Sequence, residues 1–327
     1  MPNASLLMPR RLGRSGLVVS ALGLGTMNFG SQLAEREAFS VADAALEMGI
    51  NFFDTAEMYA SPPSPESYGR SELILGRWMA GKPRDRMIVA TKIVGPADGL
   101  YTSGAHIRSG QATLDRFHIA RAIEDSLRRL RTDHVDLLQF HWPDRVVPWE
   151  EQLEAIDRAI GQGRVRYFGC SNETAWGLMR AVATSDRDRL PRPISVQNVL
   201  NLVEPEEYER LREICVEEGI GYIAYSPLAM GLLTGKYTRT EPAEDSRFAR
   251  WSRYRERYLK PSNQAAVETL TELARRQQVS LPELAFWWAL TRPAVGVVLT
   301  GASSPAQLEV ARRGAELASA GEPSMVD

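Results

Sequence analysis

The stretch Asn51-Phe52-Phe53-Asp54-Thr55-Ala56-Glu57-Met58-Tyr59 sets a pattern that recurs along the chain. It reads as a short apolar strand that ends in an acid and is followed, in a loop, by a phenol. Residues 87–91 likewise lead into Lys92, and residues 135–140 lead into His141. If these strands are parallel neighbours, an acid, a phenol, an amine and an imidazole meet at one end of the sheet. Such a cluster can protonate a carbonyl oxygen while another group delivers hydride.

Strand-like and helix-like segments alternate along the rest of the chain. A hairpin is predicted over residues 9–20, and eight strands follow near residues 21–24, 50–54, 87–91, 135–140, 165–170, 194–198, 220–225 and 295–299. Amphipathic helices are predicted between them, among them Glu35–Met48, Phe117–Leu130, Glu150–Ile160, Pro205–Glu218 and Asn263–Gln277. Ser280 and Glu283 have the spacing of a capping box. Eight strand–helix units predict a single α/β domain over residues 1–327, a (β/α)₈ TIM barrel with an N-terminal β-hairpin.

The alternative architecture is a doubly wound sheet. It predicts a glycine-rich turn after the first strand, but Gly23-Leu24-Gly25-Thr26-Met27 lacks the third glycine of the dinucleotide fingerprint. Three long segments, Ala60–Tyr68, Gly95–Arg116 and Met230–Pro261, each follow the C-terminal end of a strand. Barrel active sites form at that face, so we expect long loops there.

Composition narrows the class of protein. The 327 residues are 44% hydrophobic, enough to bury a sizeable core. A net charge of -2 and a pI near 6.2 give no sign of a nucleic-acid-binding surface. Two cysteines without metal-ligand spacing suit a reducing compartment. There is no apolar signal core in residues 1–11 and no membrane-length apolar run, so we expect a cytoplasmic protein, whether monomer or homo-oligomer.

Each of the four strand-end residues has an ordinary structural explanation when it is taken alone. Asp54 could cap a helix, Tyr59 could pack with a wet hydroxyl, and Lys92 could reach the surface. His141 could equally be a hydrogen-bonded structural residue. However, lysine occurs only at positions 82, 92, 236 and 260 in an arginine-rich chain, which makes a lysine ending an apolar strand less arbitrary. The shared position of the four residues at or just after strand ends favours one reactive site.

The chemistry of such a group is specific. A phenol with a pKa of ~10 is a poor acid at neutral pH. A cation nearby favours the phenolate and lowers that pKa toward the range of general acid catalysis. Lys92, oriented by Asp54, would be the cation, and His141 would donate a hydrogen bond to the substrate oxygen.

From about residue 9 to about residue 318, the chain resembles the aldo-keto reductase superfamily, in particular its bacterial Tas-like and potassium-channel β-subunit-like branch. The motifs that carry the resemblance are residues 12–27, residues 54–59, Tyr68-Gly69-Arg70-Ser71-Glu72 and residues 163–172. The resemblance implies a (β/α)₈ barrel that binds NADPH/NADP⁺ across its C-terminal face without a Rossmann domain. It also implies that Asp54, Tyr59, Lys92 and His141 form the catalytic tetrad of the family.

The resemblance further implies a set of cofactor-binding residues. Ser171, Asn172 and Gln197 would hold the nicotinamide carboxamide, and Tyr225 would stack on the ring. The path of the pyrophosphate and ribose would be lined by Ser226, Leu228, Gly231, Leu233 and Lys236, and the adenosine 2′-phosphate end held by Gly301, Ser303 and Gln307. Further contacts are expected at Gly25, Thr26, Met27 and Asp54. Ser171–Asn172 could also cap a helix and 301–304 form a βα turn, which is compatible with phosphate binding.

Two departures from the family pattern concern the cofactor and the pocket. An acid and an amide usually contact adenine a few residues beyond Gln307, where this chain has Val310 and Ala311. Lys236 with an arginine from residues 247–257 could still hold a 2′-phosphate, so NADPH is expected over NADH. The long C-terminal tail that closes the pocket in many relatives is expected to be short or absent.

The predicted function is that of an NADPH-dependent carbonyl reductase or alcohol dehydrogenase. Hydride would pass between nicotinamide C4 and the carbonyl carbon of an aldehyde or ketone, with Tyr59 as general acid/base. One alternative is a redox-sensing or regulatory subunit with slow turnover on the same scaffold. Another is a metal-dependent barrel lyase or isomerase, but few His and acidic residues have ligand spacing, so no metal is expected. The substrate is predicted to be larger than a simple sugar aldehyde, in a pocket lined by Phe29, Met58, Trp142 and Trp251.

Overall fold

A short hairpin near the N-terminus closes one end of a barrel. In the computed structural model, which describes residues 7–96, 106–237 and 247–325, β1 (Arg10–Arg11) pairs antiparallel with β2 (Val18–Val19). Between them, Gly13 has a φ of +55°, and a Cβ there would lie 2.2 Å from the carbonyl oxygen of Ile194. Glycine therefore lets the hairpin lie directly against the barrel. The predicted hairpin is confirmed.

Eight parallel strands form the closed barrel, as predicted. They hydrogen-bond in the order β10-β3-β4-β5-β6-β7-β8-β9, so the last strand closes on the first. Each lies within about two residues of its predicted position, the usual uncertainty of an element boundary. Their bounds are β3 (Leu22–Gly25), β4 (Phe52–Asp54), β5 (Ile88–Ile93), β6 (Val135–Phe140), β7 (Val165–Ser171), β8 (Ser195–Val199), β9 (Gly221–Tyr225) and β10 (Val295–Thr300).

Helices pack around the outside of these strands. The five helices predicted by range are confirmed with small shifts, and Ser280 and Glu283 do form a capping box. The helices of the described residues are α1 (Glu35–Glu47), α2 (Arg70–Met79), α3 (Arg116–Leu130), α4 (Trp149–Gly161), α5 (Ala175–Asp188), α6 (Glu206–Glu218), α7 (Arg247–Arg250), α8 (Ser252–Tyr258), α9 (Pro261–Arg276), α10 (Leu281–Leu290) and α11 (Pro305–Ala320).

The two-residue period of a strand decides which side chains face the barrel axis. Phe52 points inward into a cluster with Ala90 and Leu137, whereas Phe53 points outward and contacts Trp78 of α2 at a ring-centroid distance of 4.9 Å. The same alternation turns the residues two positions further along these strands toward the axis. Those residues lie at the C-terminal end of the barrel, where the sequence predicts that the acid, the amine and the imidazole meet.

The three long segments have different structures. Residues 60–68 contain turns but no helix or strand. The segment 95–116 includes a 3₁₀ turn at Arg108–Gly110, and its residues 97–105 lie outside the described part. The segment 230–261 contains α7, α8 and all but the first residue of a 3₁₀ turn (Ala229–Thr234). Its residues 238–246 also lie outside the described part of the chain. None of the described helices is both long and apolar enough to cross a membrane.

The hairpin contributes directly to the barrel core, which gives a first prediction. Leu12 is fully buried in the interior cluster, whereas Val18 is 43% exposed on the same hairpin. Leu12→Ala should lower the free energy of unfolding by about 2–5 kcal/mol, because it leaves a cavity in a close-packed site. Chemical denaturation measures this loss.

Val18→Ala serves as the matched control on the same element. It should change the free energy of unfolding by less than about 0.5 kcal/mol, as expected for a surface position. Equal effects of the two substitutions would show that the hairpin does not form part of the core.

Candidate active site

The four strand-end residues lie together at the C-terminal end of the barrel. Asp54 is the last residue of β4, Lys92 lies one residue before the end of β5, and His141 directly follows β6. Tyr59 lies in the loop that follows β4. We refer to these four residues as the tetrad. Their closeness follows from parallel strand order and from the inward phase of each strand.

A buried ion pair forms the base of the tetrad. Lys92 is 0% exposed, and its Nζ donates to Asp54 Oδ2 at 2.5 Å and to the carbonyl oxygen of Thr55 at 2.9 Å. The other carboxylate oxygen of Asp54 accepts from the amides of Gln197 at 2.8 Å and Gln139 at 3.2 Å. Both oxygens of Asp54 therefore have donors, which is what a charged carboxylate needs to be stable away from water.

Tyr59 lies directly over this ion pair. Lys92 Nζ is 5.0 Å from the centroid of the Tyr59 ring, and the ring of His141 meets that ring edge-on at 5.6 Å. The main chain of Tyr59 is fixed as well, because its N–H donates to the carbonyl of Ala56 at 3.0 Å and its carbonyl accepts from Ser71 at 3.2 Å. The phenol is thus held between a cation and an imidazole.

Burial governs the protonation of the amine and the imidazole. It lowers the pKa of Lys92, while the charge of Asp54 opposes that shift and favours the ammonium. Burial, with a further contribution from Lys92, holds the pKa of His141 well below its usual range, so its ring is neutral at pH 7. His141 Nδ1 has no hydrogen-bond partner among the described residues. A proton on Nε2 leaves Nδ1 as an unpaired acceptor rather than as an unpaired N–H donor, which is the less costly arrangement.

The residues expected at the nicotinamide carboxamide form a connected network beside the tetrad. Asn172 Nδ2 donates to the carbonyl of His141 at 2.8 Å, and its Oδ1 accepts from the hydroxyl of Tyr225 at 2.8 Å. Ser171 Oγ donates to the carbonyl of Gln197 at 2.8 Å. Since the Gln197 amide nitrogen is already engaged by Asp54, this side chain also belongs to the support of the tetrad.

A cavity of about 730 Å³ opens above these residues and extends to the loop after β10. Asp54, Tyr59 and His141 line it, whereas Lys92 lies below its floor. Most of the expected cofactor residues also line it. They are Gly25, Met27, Asp54, Ser171, Asn172, Gln197, Tyr225, Ser226, Leu228, Gly231, Lys236, Gly301, Ser303 and Gln307.

Two of the expected cofactor residues lie behind the cavity wall. Thr26 is 0% exposed, and its hydroxyl donates to the carbonyl of Asp54 at 3.0 Å. The Thr26 hydroxyl also shares a hydrogen bond of 2.7 Å with the hydroxyl of Ser71. Leu233 is also 0% exposed and packs in the cluster beneath the 3₁₀ turn that carries it. Met230 and Gly231 have positive φ and interrupt the helical geometry just before Leu233.

The four residues expected to bind substrate divide in the same way. Met58 and Trp142 line the cavity, and Trp142 stacks on His141 with ring centroids 3.9 Å apart. Phe29 is 0% exposed and packs in the outer core, because the chain turns away from the axis after β3. Trp251 packs edge-on against Tyr254 at 5.5 Å; Tyr254 lines the cavity, whereas Trp251 does not.

Several cavity residues were not anticipated from the sequence. Asn28 is 3% exposed, donates through Nδ2 to the carbonyl of Ala302 at 2.9 Å, and leaves Oδ1 without a partner among the described residues. Tyr237 is 5% exposed, and its hydroxyl also has no hydrogen-bond partner among the described residues. Gln32 also lines the cavity. No sequence signal marked Gln32 or Tyr237, although Asn28 directly follows the motif that ends at Met27.

The lining of the cavity also includes a cation and a position with free space. Lys236 lines the cavity and is exposed, and a Cβ built on Gly301 would meet no atom within 4 Å. Val310 lines the cavity as well, whereas Ala311 is buried in the core. Of the arginines in residues 247–257, Arg257 lines the cavity but is paired with Glu204 at 2.6 Å. The side chains of residues 247 and 250 lie outside the described part of the chain.

Metal-ligating side chains do not cluster in this region. Within the described ranges, no group of three or more His, Cys, Asp and Glu side chains has an arrangement that could hold a metal ion. The carboxylate of Asp54 is instead committed to an ammonium and two amides. A phenol and an imidazole at the cavity, with an ammonium beneath them, are groups that can take part in proton transfer.

The closed eight-stranded barrel agrees with a family comparison. The model of the aldo/keto reductase family matches residues 21–315, and the chain belongs to this family of oxidoreductases, whose members generally use nicotinamide cofactors. Among curated proteins, the chain is 38% identical over 317 residues to Protein tas of Escherichia coli (strain K12), covering 91% of this chain and 90% of that protein.

Two further relatives cover similar shares of both chains. An uncharacterized oxidoreductase, YrpG, of Bacillus subtilis (strain 168) is 34% identical over 299 residues, with 91% of this chain and 87% of that protein aligned. A probable voltage-gated potassium channel subunit beta of Oryza sativa subsp. japonica is 35% identical over 305 residues, with 91% and 88% aligned. The resemblance seen in the sequence motifs is thereby confirmed at the level of the family.

The buried, neutral state of His141 predicts a pH dependence of stability. Its folded-state pKa is lowered, so as the pH falls below about 6.5 the unfolded chain takes up a proton that the folded chain does not. The free energy of unfolding that the neutral ring contributes is fully present above about pH 6.5. It is lost as the pH falls, by up to about 1.4 kcal/mol per pH unit. We expect the free energy of unfolding of His141→Gln to fall less steeply than that of the wild type between about pH 6.5 and 5.

Urea denaturation at a series of pH values measures both slopes. Parallel curves for the two proteins would mean that His141 takes up its proton equally in the folded and unfolded states, and would contradict its burial as a neutral ring.

Proposed function

We propose that this protein is a single-domain, NADPH-dependent oxidoreductase that interconverts an aldehyde or ketone and the corresponding alcohol. The observation that carries the proposal is the buried Lys92–Asp54 ion pair beneath Tyr59, at the floor of a large cavity. When bound, a reduced nicotinamide supplies hydride to the carbonyl carbon. The protein then has to bind, orient and protonate the carbonyl.

Tyr59 is the proton donor in this proposal. Its ring lies over an ammonium that has no access to solvent, and a cation so placed favours the phenolate that remains after proton transfer. Asp54 keeps Lys92 charged and directs its Nζ toward the tyrosine. In the oxidation direction the same phenolate accepts the alcohol proton, as a general base.

His141 orients the carbonyl. A neutral ring with its proton on Nε2 can donate one hydrogen bond to the substrate oxygen, and that bond strengthens as negative charge develops there. Because the pKa of His141 is held low, the ring does not compete with Tyr59 as an acid at neutral pH. The stacked indole of Trp142 keeps the imidazole plane fixed.

The residues along the cavity fit a nicotinamide dinucleotide. Asn28 Oδ1 and the Tyr237 hydroxyl are buried polar atoms that lack protein partners among the described residues, and such atoms require a ligand or water. The open space beside Gly301 and the positive charge of Lys236 suit a phosphate group. Asn172 and Tyr225, hydrogen-bonded to one another beside the tetrad, would face the nicotinamide end.

The substrate wall of the proposed site is apolar. Met58 and Trp142 line the cavity next to Tyr59 and His141, so an aldehyde or ketone with an apolar substituent is favoured. The direct test is a panel of aldehydes and ketones, with NADPH consumption as the readout. A protein that oxidises NADPH with none of them would contradict the proposal.

A second function is supported by one comparison. The 35% identity to a probable potassium channel subunit beta makes a regulatory subunit with slow cofactor turnover a specific alternative. Single-turnover and steady-state rates distinguish the two functions. Comparable rates favour an enzyme, whereas rapid hydride transfer followed by very slow steady-state turnover favours a sensor.

Removing the Tyr59 hydroxyl should stop proton transfer. Tyr59→Phe is expected to lower kcat by about 10²–10⁴, the usual contribution of a general acid, while NADPH still binds. Stopped-flow absorbance and a fluorescence titration with NADPH measure the two effects. Tyr258→Phe is the matched control, because Tyr258 lines the same cavity but its hydroxyl donates to Glu204 at 2.8 Å. Full activity of Tyr59→Phe would refute the assignment.

Preference for NADPH over NADH should depend on Lys236. Lys236→Ala is expected to weaken NADPH binding by about tenfold and to change NADH binding much less, because a charge-assisted contact to the 2′-phosphate is lost. Fluorescence titrations with both cofactors measure this, and Lys82→Ala, which lies away from the cavity beside Asp43, is the control. An equal loss for both cofactors would place Lys236 elsewhere along the cofactor.

A further inference from the structure

A second buried carboxylate lies within the segment that carries Asp54 and Tyr59. Glu57 is 0% exposed, and its Oε1 accepts from the N–H of Val94 at 2.5 Å and from Arg108 Nη1. Its Oε2 accepts from the hydroxyl of Tyr68 at 3.1 Å. The three donors come from three places: the end of β5, the loop after β5, and the end of the 60–68 segment. One side chain therefore connects the tetrad segment with both neighbouring loops.

Glu57 also extends the pairing of β4 with β5 beyond the strands. The N–H of Thr55 donates to the carbonyl oxygen of Ala90 at 2.9 Å, and the N–H of Glu57 donates to the carbonyl oxygen of Lys92 at 3.0 Å. At the next step, where the chain turns away, the Glu57 carboxylate takes the place of a main-chain acceptor for Val94. The segment that leads to Tyr59 is thus held in register with the strand that carries Lys92.

Arg108 holds the loop after β5 against the back of the cavity wall. Its guanidinium is 3% exposed and donates to Glu57 and, at 2.6 Å, to the carbonyl of Val94. The preceding residue, Ile107, is 1% exposed and packs in an apolar group that we call the wall cluster. The wall cluster consists of Ala56, Met58, Val94, Ile107 and Trp142, with Tyr59 packed against it.

We propose that the Glu57–Arg108 ion pair positions Tyr59 and shapes the substrate wall, and so determines carbonyl turnover and substrate size without contributing to cofactor binding. Neither residue lines the cavity, so both act through other groups. They act through Met58 and Trp142, which belong to the wall cluster and also line the cavity. This inference rests on the proposed function.

The test uses Glu57→Gln, Arg108→Met and the double variant. Single-turnover hydride transfer from NADPH is expected to slow by about 10–100-fold, because small displacements of reacting groups are costly. KM should rise more for bulky than for small carbonyl compounds, and the Kd of NADPH should not change. Arg108→Lys keeps the positive charge but loses the guanidinium that donates to both Glu57 and Val94. Its rate of hydride transfer should therefore lie between those of Arg108→Met and the wild type.

The double variant separates positioning from stability. Each single variant leaves a buried charge without its partner, whereas the double variant removes both charges and should recover stability. Hydride transfer should stay slow in the double variant, because the loop remains unanchored. If a single variant does not fold, the double variant and Ile107→Ala carry the test. A double variant with the wild-type rate and substrate preference would overturn the inference.

A matched ion pair at the opposite end of the barrel provides the control. Asp136 on β6 is 1% exposed and pairs with Arg84 at 2.7 Å, near the N-terminal ends of the strands. Asp136→Asn and Arg84→Met should lower stability and leave hydride transfer unchanged. If they slow hydride transfer as much as the Glu57 and Arg108 variants do, the inference is overturned. Absence of hydride transfer in the wild-type protein would overturn the proposed function and this inference together.

Discussion

The buried contact between Lys92 and Asp54 is the constraint on which the rest of the site depends. An ammonium and a carboxylate removed from water each cost several kcal/mol unless their hydrogen-bonding capacity is filled. Here it is filled by atoms of neighbouring strands: the carbonyl of Thr55 and the amides of Gln139 and Gln197. The pair can persist only while those strands keep their order and register. The barrel and its reactive end are therefore one structure energetically as well as geometrically.

The same constraint explains why the two ends of the barrel differ. At the end covered by the hairpin, the inward positions hold Leu12, Phe52 and Leu137, and the interior is apolar. Two residues further along the strands, the inward positions hold charged and amide groups that bond to one another. The interior changes from an apolar core to a polar network over one step of strand alternation, and the cavity opens above that network.

The strand order, the hairpin and the position of the tetrad could be predicted because they rest on local periodicity. Parallel strands buried on both faces read as short apolar runs, and the inward phase of Phe52 carries over to Asp54. The position of Phe29, Thr26 and Leu233 behind the cavity wall could not be predicted in this way. Their orientation depends on how loops leave the barrel, for example on positive φ near Leu233, and no strand or helix period applies there.

Glu57 illustrates a second limit. In the sequence it is one polar residue between Asp54 and Tyr59, and nothing local marks it as the acceptor of Arg108, which lies 51 positions further along. Contacts of that separation are decided by tertiary packing. The family resemblance led to the four tetrad residues and to a set of cofactor-binding residues, most of which line the cavity. The groups that hold the tetrad in place became visible only in three dimensions.

The scarcity of lysine gives this protein a simple chemical signature. Of its four lysines, Lys92 is sealed beneath the cavity floor, Lys82 is partly buried, and Lys236 and Lys260 are exposed. An amine-acylating reagent therefore meets few targets, and only Lys236 among them lines the cavity. Its acylation, followed by mass spectrometry and compared with that of Lys260, reports whether the cavity is filled. A ligand footprint can be read from a single peptide without any assay of turnover.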